Sequence, residues 1–237
     1  MVRQIVAFSG GKDSTAMALR LHELGESFAL LFTPTGDELP ELREHIARMV
    51  ARIGCELIVP PNRSLYEWIA TYRALPNFRM RWCTRQIKIE PCIAYLLAHP
   101  GSTLLVGLRA DEEARLGLYG AYATYRYPLR EWGWRMRDVR RYLAAHGVEV
   151  PRRTDCALCY DQRLSEWYRL WKAHPEAYAR GEALEAETGH TFRSGQRDQW
   201  PTDLAGLRAA FEAGRRPLGV GDDETLPLPL RCRVCSL

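Results

Sequence analysis

The segment Ser9-Gly-Gly-Lys-Asp-Ser14 constrains the fold of this chain more than any other part of its sequence. It follows a short β-rich run, Ile5–Phe8, and precedes apolar residues at helical spacing, Met17, Leu21 and Leu24. Two adjacent glycines between a strand and a helix allow the backbone to turn tightly and to approach a ligand closely. The N–H groups at the helix start, together with the helix dipole, form an anion site. The segment therefore predicts an α/β fold in which a loop after the first strand binds phosphate.

Three side chains of this loop have chemistry that suits a nucleoside triphosphate. Lys12 supplies a mobile positive charge, Asp13 can hold Mg²⁺ on a triphosphate, and Ser14 can cap the helix or donate to a phosphate. The loop is not a Walker A motif, because the G-x-x-x-x-G-K-[ST] spacing is absent. The simpler alternative is a glycine turn in which Asp13 and Ser14 serve only as helix caps.

Strand and helix signals alternate through the first half of the chain. Strand-like runs occur at Phe28–Thr33, Leu57–Val59 and Thr103–Val106, and helical repeats occur from Leu42 to Ile53 and from Ile87 to Ala98. This alternation predicts a doubly wound, mostly parallel, Rossmann-like sheet with helices on both faces.

The second half of the chain has a different pattern. Apolar stripes at helical spacing around residues 136–143, 164–171 and 204–211 predict helices, and the prolines after residue 216 predict an extended tail. We therefore expect a nucleotide-binding α/β core over residues 1–130. A helical region with a cysteine-containing tail, residues 131–237, is expected to pack on it.

Charge and composition narrow the class of protein. Apolar residues make up 46% and charged residues 26%, as in soluble globular domains. The net charge is +4, but residues 73–88 carry five bases and no acid, and residues 126–153 carry eight bases and three acids. Either window suits contact with phosphate or with a nucleic acid such as tRNA or DNA. The alternative is that these basic residues form faces exposed to solvent. Six aromatic residues accompany the second window and either stack on bases or pack in the core: Tyr119, Tyr122, Tyr125, Tyr127, Trp132 and Trp134.

The apolar runs are all shorter than the roughly 18 residues of a membrane span, and the N-terminus does not resemble a signal peptide. We expect a cytoplasmic protein without a membrane partner. A homo-oligomer is compatible with the sequence.

Seven cysteines in such a chain favour metal or thiol chemistry over disulfides. Cys156-Ala-Leu-Cys159 and Cys232-Arg-Val-Cys235 are two CxxC pairs, and Cys83 lies in the first basic window. Cys55 and Cys92 lie in apolar runs, which predicts that they are core residues.

Four segments together resemble a known family. Ser9–Ser14 resembles the SGGxDS signature of PP-loop ATP pyrophosphatases, the adenine nucleotide alpha-hydrolase superfamily. Thr35-Gly-Asp-Glu-Leu-Pro-Glu41, Cys83-Thr-Arg-Gln-Ile-Lys-Ile-Glu-Pro91 and Gly107-Leu-Arg-Ala-Asp-Glu-Glu-Ala-Arg115 are similar to segments of its phosphoadenosine phosphosulfate (PAPS) reductase-like branch.

The resemblance implies a site for ATP and Mg²⁺. The nucleotide-binding residues it implies are Ser9, Gly10, Gly11, Lys12, Asp13, Ser14, Thr35 and Gly36. The catalytic residues it implies are Lys12, Asp13, Lys88, Arg109, Arg115 and Cys235, of which the cations would stabilise a leaving pyrophosphate. The alternative for Arg109 and Arg115 is an ion pair with Asp111, Glu112 or Glu113.

In iron–sulfur members of this branch, a tandem Cys-Cys joins a later CxxC to hold a [4Fe–4S] cluster. The tandem is Cys83-Thr84 here, so we expect the C-terminal pair to replace the missing ligand. The preferred ligands are Cys83, Cys156, Cys159 and one of the tail cysteines, taken as Cys232, which leaves Cys235 to carry sulfur. The alternative is Zn²⁺ held by the two CxxC pairs, with Cys83 as the active-site thiol.

Three functions follow from these features. The first is an ATP-dependent PP-loop enzyme that adenylates a substrate oxygen, releases pyrophosphate and transfers sulfur from a sulfide or persulfide donor. Its acceptor would be a nucleic acid base or backbone, or a small molecule. The second is a PAPS or APS reductase that works with a thioredoxin-like protein, although such reductases usually have a degenerate loop and an E-C-G-[IL]-H tail that is absent here. The third is a regulatory nucleotide-binding module without turnover.

Overall fold

The computed structural model describes residues 3–112, 124–194 and 198–220, and its centre is a parallel β-sheet. The strands are β1 (Gln4–Ala7), β2 (Ala29–Leu31), β3 (Leu57–Ile58), β4 (Thr103–Leu105) and β5 (Thr124–Arg126). Their order is β3-β2-β1-β4-β5, and all four neighbouring pairs are parallel. The strand order reverses between β1 and β4, and in open α/β sheets ligands bind beyond the carboxyl ends of the strands at such a point.

Helices connect and flank these strands. They are α1 (Lys12–Glu23), α2 (Pro40–Ile53), α3 (Leu65–Tyr72), α4 (Glu90–Ala98), α5 (Pro128–Glu131), α6 (Met136–Ala145), α7 (Leu164–Ala173), α8 (Pro175–Thr188) and α9 (Leu204–Glu212). A π-helical turn, Thr84–Ile89, leads directly into α4, and a 3₁₀ turn, Ala110–Glu112, follows β4. Within the described ranges, no helix is both long and apolar enough to cross a bilayer.

Both faces of the sheet are buried. Ile5 and Leu104 belong to a core cluster that includes Leu96 of α4. Their chain neighbours Val6 and Leu105 belong to another cluster, formed with α1, α2 and α6. Because successive strand residues point to opposite faces, this alternation confirms the predicted doubly wound, mostly parallel sheet.

A third core cluster joins the C-terminal helices to the first half of the chain. Leu65 of α3 and Ile87 of the π-helical turn pack with Leu158, Trp167 of α7 and Phe211 of α9. Helices α7 and α9 therefore pack on the first half of the chain through α3 and the π-helical turn. The predicted division at residue 130 stays a prediction, and residues 221–237 of the predicted extended tail lie outside the described ranges.

A buried histidine makes the stability of this core dependent on pH. His45 is fully buried with its Nε2 atom 3.1 Å from Thr15 Oγ1, and burial, reinforced by Arg48, lowers its pKa to about 4. Protons therefore bind the unfolded chain in preference to the folded one between pH 6.5 and 4. We expect the free energy of unfolding to fall by about 2 kcal/mol from pH 7 to roughly pH 4.5 through this group alone.

Urea titrations at both pH values measure this effect, and His45→Gln should show a smaller loss on acidification. His22→Gln, which removes an exposed imidazole, is the matched control. An identical pH dependence in wild type and His45→Gln would contradict the assignment.

Candidate nucleotide and cysteine site

The predicted phosphate loop lies at the carboxyl end of β1. α1 begins at Lys12 with Gly11 as its N-cap, and within the described residues no side chain caps this helix start. Ser14 Oγ instead donates to the Gly11 carbonyl over 3.1 Å and lies 3.3 Å from the Ser9 backbone nitrogen. Ser14 therefore stabilises the loop internally, and the helix start presents backbone N–H groups at the switch point of the sheet.

Two glycines allow close packing here, Gly10 between the loop and α2 and Gly107 between the end of β4 and α1. Gly10 has φ +70°, and a Cβ atom on it would lie 2.6 Å from Leu42 Cδ1. A Cβ atom on Gly107, which follows β4, would lie 3.2 Å from the Ser14 backbone nitrogen. Side chains at either position would therefore separate the loop from the elements around it.

The chain offers a matched pair of glycines for testing this. Gly25 has φ +73°, but a Cβ atom on it would meet no described atom within 4 Å. Gly25→Ala therefore incurs only the conformational cost of positive φ, about 1–2 kcal/mol. Gly10→Ala adds a clash with the buried Leu42, which we expect to cost about 2 kcal/mol more. Urea unfolding measures both variants, and equal losses would contradict the packing argument.

Arg109 lies in the loop after β4 and forms ion pairs with three carboxylates. Its Nη1 atom is 2.8 Å from Asp13 Oδ2 and 3.4 Å from Glu112 Oε2, and its Nε atom is 2.9 Å from Asp111 Oδ1. The residue is 3% exposed. Ion pairs with Asp111 and Glu112 are the alternative role that the sequence analysis gave for Arg109. The ion pair with Asp13 connects the loop after β4 to the phosphate loop. Arg115 lies outside the described residues.

Lys12 and Asp13 form the charged part of the loop. Lys12 Nζ is 3.3 Å from Asp13 Oδ2, and both side chains are 11% exposed. Asp13 Oδ1 is buried and has no hydrogen-bond partner among the described residues. Lys12, Arg109 and the three carboxylates that contact Arg109 sum to one negative charge. A carboxylate oxygen to which no described residue donates, in such a site, fits Mg²⁺ bound together with a triphosphate.

The Thr35–Glu38 turn after β2 lies at the same edge of the sheet. The Glu38 carboxylate accepts from Thr35 Oγ1 over 2.6 Å and from the Gly36 N–H group over 3.1 Å. Gly36 has φ +77°, and a Cβ atom there would lie 2.8 Å from Ser64 Cβ. Glu38 therefore holds the conformation of the predicted nucleotide-binding residues Thr35 and Gly36.

Asp37 connects this turn to the first CxxC segment, a role that sequence reasoning missed. Its Oδ2 atom accepts from the Leu158 N–H group over 2.7 Å, and its carbonyl accepts from the Ala157 N–H group over 2.7 Å. Its Oδ1 atom accepts from the Tyr66 hydroxyl. Burial raises the pKa of Asp37, which is 3% exposed. Thr154, just before the CxxC segment, in turn approaches Gly11 of the phosphate loop.

Three predicted metal ligands lie together. Cys83, Cys156 and Cys159 line one pocket, which Thr35 and Lys88 also line. A hydrogen bond with Cys159, together with burial, raises the pKa of Cys156, and burial raises the pKa of Cys83. The described residues nevertheless contain no group of three or more ligands arranged to hold a metal ion. Cys232 and Cys235 lie outside the described ranges, so the structure does not describe the predicted fourth ligand.

The family of the chain follows from a comparison with known domains. The model of the phosphoadenosine phosphosulfate reductase domain matches residues 3–152, more than half of the chain. The chain belongs to this PAPS reductase family. The match covers the phosphate loop, the Thr35–Glu38 turn, Cys83 and Arg109, so it spans the elements that form the carboxyl edge of the sheet.

Individual relatives of this PAPS reductase-family chain are distant. It is 22% identical over 188 residues to an uncharacterized protein of Methanocaldococcus jannaschii, with 73% of this chain and 45% of the relative aligned. The chain thus spans less than half the length of that relative. The crystal structure of a Candida auris PAPS reductase in complex with phosphate aligns with a TM-score of 0.50 and 14% identity, covering 63% of this chain and 75% of the other. That likeness is one of fold.

A predicted subunit of a tRNA methyltransferase from Methanocaldococcus jannaschii aligns with a TM-score of 0.42 and 18% identity. It covers 75% of this chain and 91% of the other.

In this PAPS reductase-family chain two tryptophans and one arginine of the second basic window make internal contacts. The Trp132 and Trp134 rings lie 5.2 Å apart and pack against the core. Arg126 forms ion pairs with Glu26 over 2.7 Å and Glu131 over 2.8 Å. For Trp132 and Trp134 these contacts favour the packing role, while Tyr119 and Tyr122 lie outside the described residues.

Proposed function

We propose that this PAPS reductase-family protein binds Mg²⁺-ATP at the Ser9–Ser14 loop and uses it to adenylate a substrate oxygen. The observation that carries the proposal is the pairing of Lys12 with Asp13 at an α1 start that no described side chain caps, at the β1–β4 switch point. Backbone N–H groups and a lysine bind phosphate, and Asp13 Oδ1, which has no partner among the described residues, suits the magnesium ion of a triphosphate.

The proposed reaction is a displacement at the α-phosphorus. The substrate oxygen attacks the α-phosphorus, the bond to the bridging oxygen breaks, and pyrophosphate leaves with that oxygen. Lys12 and the N–H groups of the loop stabilise the charge that develops on pyrophosphate. Sulfide then attacks the substrate carbon, and AMP leaves with the activated oxygen.

The cysteine pocket supports sulfur transfer as the second half of the reaction. Cys83, Cys156 and Cys159 line it beside Lys88, and their thiols are the donor type that binds iron–sulfur clusters or zinc. We propose a [4Fe–4S] cluster completed by Cys232, with Zn²⁺ as the alternative, and Cys235 as the sulfur-carrying thiol. When bound by four cysteines, the cluster would have no open coordination position for sulfide; it would hold Cys83 and the Cys156/Cys159 pair in place beside Lys88.

The test compares two nucleotides. Anaerobically purified protein is incubated with ATP or with PAPS, with and without sulfide and bulk tRNA, and pyrophosphate, sulfite and the visible spectrum are recorded. Pyrophosphate formed only from ATP, by a brown protein, is the expected result. A colourless protein that contains zinc would contradict the cluster without contradicting adenylation.

The match to the PAPS reductase domain model favours one second candidate, reduction of PAPS with a thioredoxin-like partner. It predicts sulfite from PAPS and no pyrophosphate from ATP. That result would overturn the proposed adenylation.

A further inference from the structure

The end of α3 and the turn that follows it expose large apolar side chains. Phe78 is 68% exposed, Met80 is 46% exposed and Tyr72 is 43% exposed. With Arg79 and the partly exposed Trp82 they form what we call the aromatic–basic face. Clustered exposure of large apolar side chains rimmed by polar groups marks interaction sites in soluble proteins.

Local hydrogen bonds fix the tip of this face. The Asn77 Oδ1 atom accepts from the backbone N–H groups of Arg79 and Met80, both over 2.9 Å. The Asn77 N–H group donates to the Met80 carbonyl over 3.2 Å. Phe78 and Arg79 therefore lie at the tip of a closed turn, and their exposure belongs to the folded structure.

Rings continue from the tip along α3. Tyr72 stacks on Trp68 with ring centroids 5.3 Å apart and an interplanar angle of 18°, and it contacts Trp82 at 5.2 Å. The Arg63 guanidinium lies 4.5 Å from the centroid of the Trp68 ring. Stacked rings interleaved with arginines offer platforms for unstacked, negatively charged, planar groups.

The positive charge of residues 73–88 narrows the class of ligand that this face can bind. Residues 73–88 carry five bases and no acid, and Arg85 at the far end of the segment pairs with Glu90 over 2.9 Å. Single-stranded nucleic acid combines a phosphate backbone with bases whose faces are free to stack, whereas a duplex hides those faces. The combination of rings and cations fits the single strand.

The same segment reaches the candidate site. Arg81, Cys83 and Lys88 line the cysteine pocket, directly after the tip of the face. We propose that the aromatic–basic face binds a single-stranded segment of nucleic acid and holds it at the mouth of this pocket. That the bound strand is the sulfur acceptor rests on the function proposed above, but the binding of the strand does not.

Fluorescence anisotropy tests binding with labelled oligouridylate and oligothymidylate of about 12 nucleotides and a duplex of equal length. We expect single strands to bind more tightly than the duplex, with quenching of tryptophan emission. Phe78→Ala should weaken single-strand binding about tenfold, as expected for one lost stacking platform. Leu97→Ala is the matched control, because Leu97 is 61% exposed but lies on α4.

Arg79→Ala tests the electrostatic part of the face. It should make the negative slope of log K against log salt shallower by about 0.7 for each lost phosphate contact, whereas Arg48→Ala, on α2, should not. Equal effects of Phe78→Ala and Leu97→Ala, duplex binding as tight as single-strand binding, or no binding would overturn the proposal. Pyrophosphate release from ATP, measured on the same preparations, separates its failure from failure of the adenylation.

Discussion

Lys12→Ala should reduce pyrophosphate release from ATP by about 10²- to 10³-fold, the effect of removing one group that stabilises developing charge in a closed site. The Lys12 side chain is 11% exposed and lies at the start of α1, 3.3 Å from Asp13 Oδ2. Its loss leaves Asp13 opposed by Arg109, which is already paired with Asp111 and Glu112. The measurement is the initial rate of pyrophosphate release at saturating Mg²⁺-ATP, with the fold checked by circular dichroism.

The chain contains three lysines, and the third provides a matched control. Lys172 is exposed on α7, so Lys172→Ala removes the same charge without touching the loop. We expect wild-type release from this variant. Wild-type release from Lys12→Ala would remove the catalytic assignment of Lys12, whereas an equal loss in both variants would indicate an effect of net charge.

The parts of the fold that could be predicted are those whose signals are local. The Ser9–Ser14 loop, β4 and α2 follow from turn residues and periodicity within a few positions. β5 was missed because Thr124–Arg126 is a short edge strand whose burial is only partial and whose sequence lacks an apolar run.

Helix α8 was missed for a different reason. Its buried positions are Ala177, Tyr178, Gly181 and Glu185, which do not form an apolar stripe. A Cβ atom on Gly181 would lie 2.7 Å from both Leu158 Cδ2 and Leu204 Cδ1, so a small residue is required for this close contact. The residues of α8 are determined by its contacts with the rest of the fold, so its sequence lacks the apolar periodicity from which a helix is predicted.

The candidate site likewise has parts that the sequence predicts and parts that it does not. The loop, Thr35 and the cysteines could be proposed from motifs, and the structure brings Cys83, Cys156 and Cys159 to one pocket with Thr35. The role of Asp37 could not be predicted, because its partner Leu158 lies 121 residues away in sequence. A single acid in a turn carries no signal of such a contact.

Asp37→Ala should be the most destabilising of the substitutions considered, and it should also release the first CxxC segment. The change leaves the Leu158 N–H group and the Tyr66 hydroxyl without their buried acceptor. At about 1–3 kcal/mol for each unsatisfied group, we expect a loss of about 2–6 kcal/mol in the free energy of unfolding. Urea unfolding measures the loss, and mass spectrometry after brief alkylation should show Cys159, a residue 6% exposed in the wild type, reacting about tenfold faster or more.

Two milder variants separate the two contacts of Asp37. Tyr66→Phe removes the hydroxyl that donates to Oδ1 but keeps the hydrogen bond from Leu158 to Oδ2, so we expect lower stability with little change in Cys159 alkylation. Asp37→Asn keeps one acceptor oxygen for Leu158 and should fall between Tyr66→Phe and Asp37→Ala in stability. Because Tyr66 and Asp37 are in contact, the double variant should lose less than the sum of the single losses. Additive losses would show that Tyr66 and Asp37 are not energetically coupled, and Cys159 alkylation in Asp37→Ala at the wild-type rate would show that Asp37 does not hold the CxxC segment against the turn after β2.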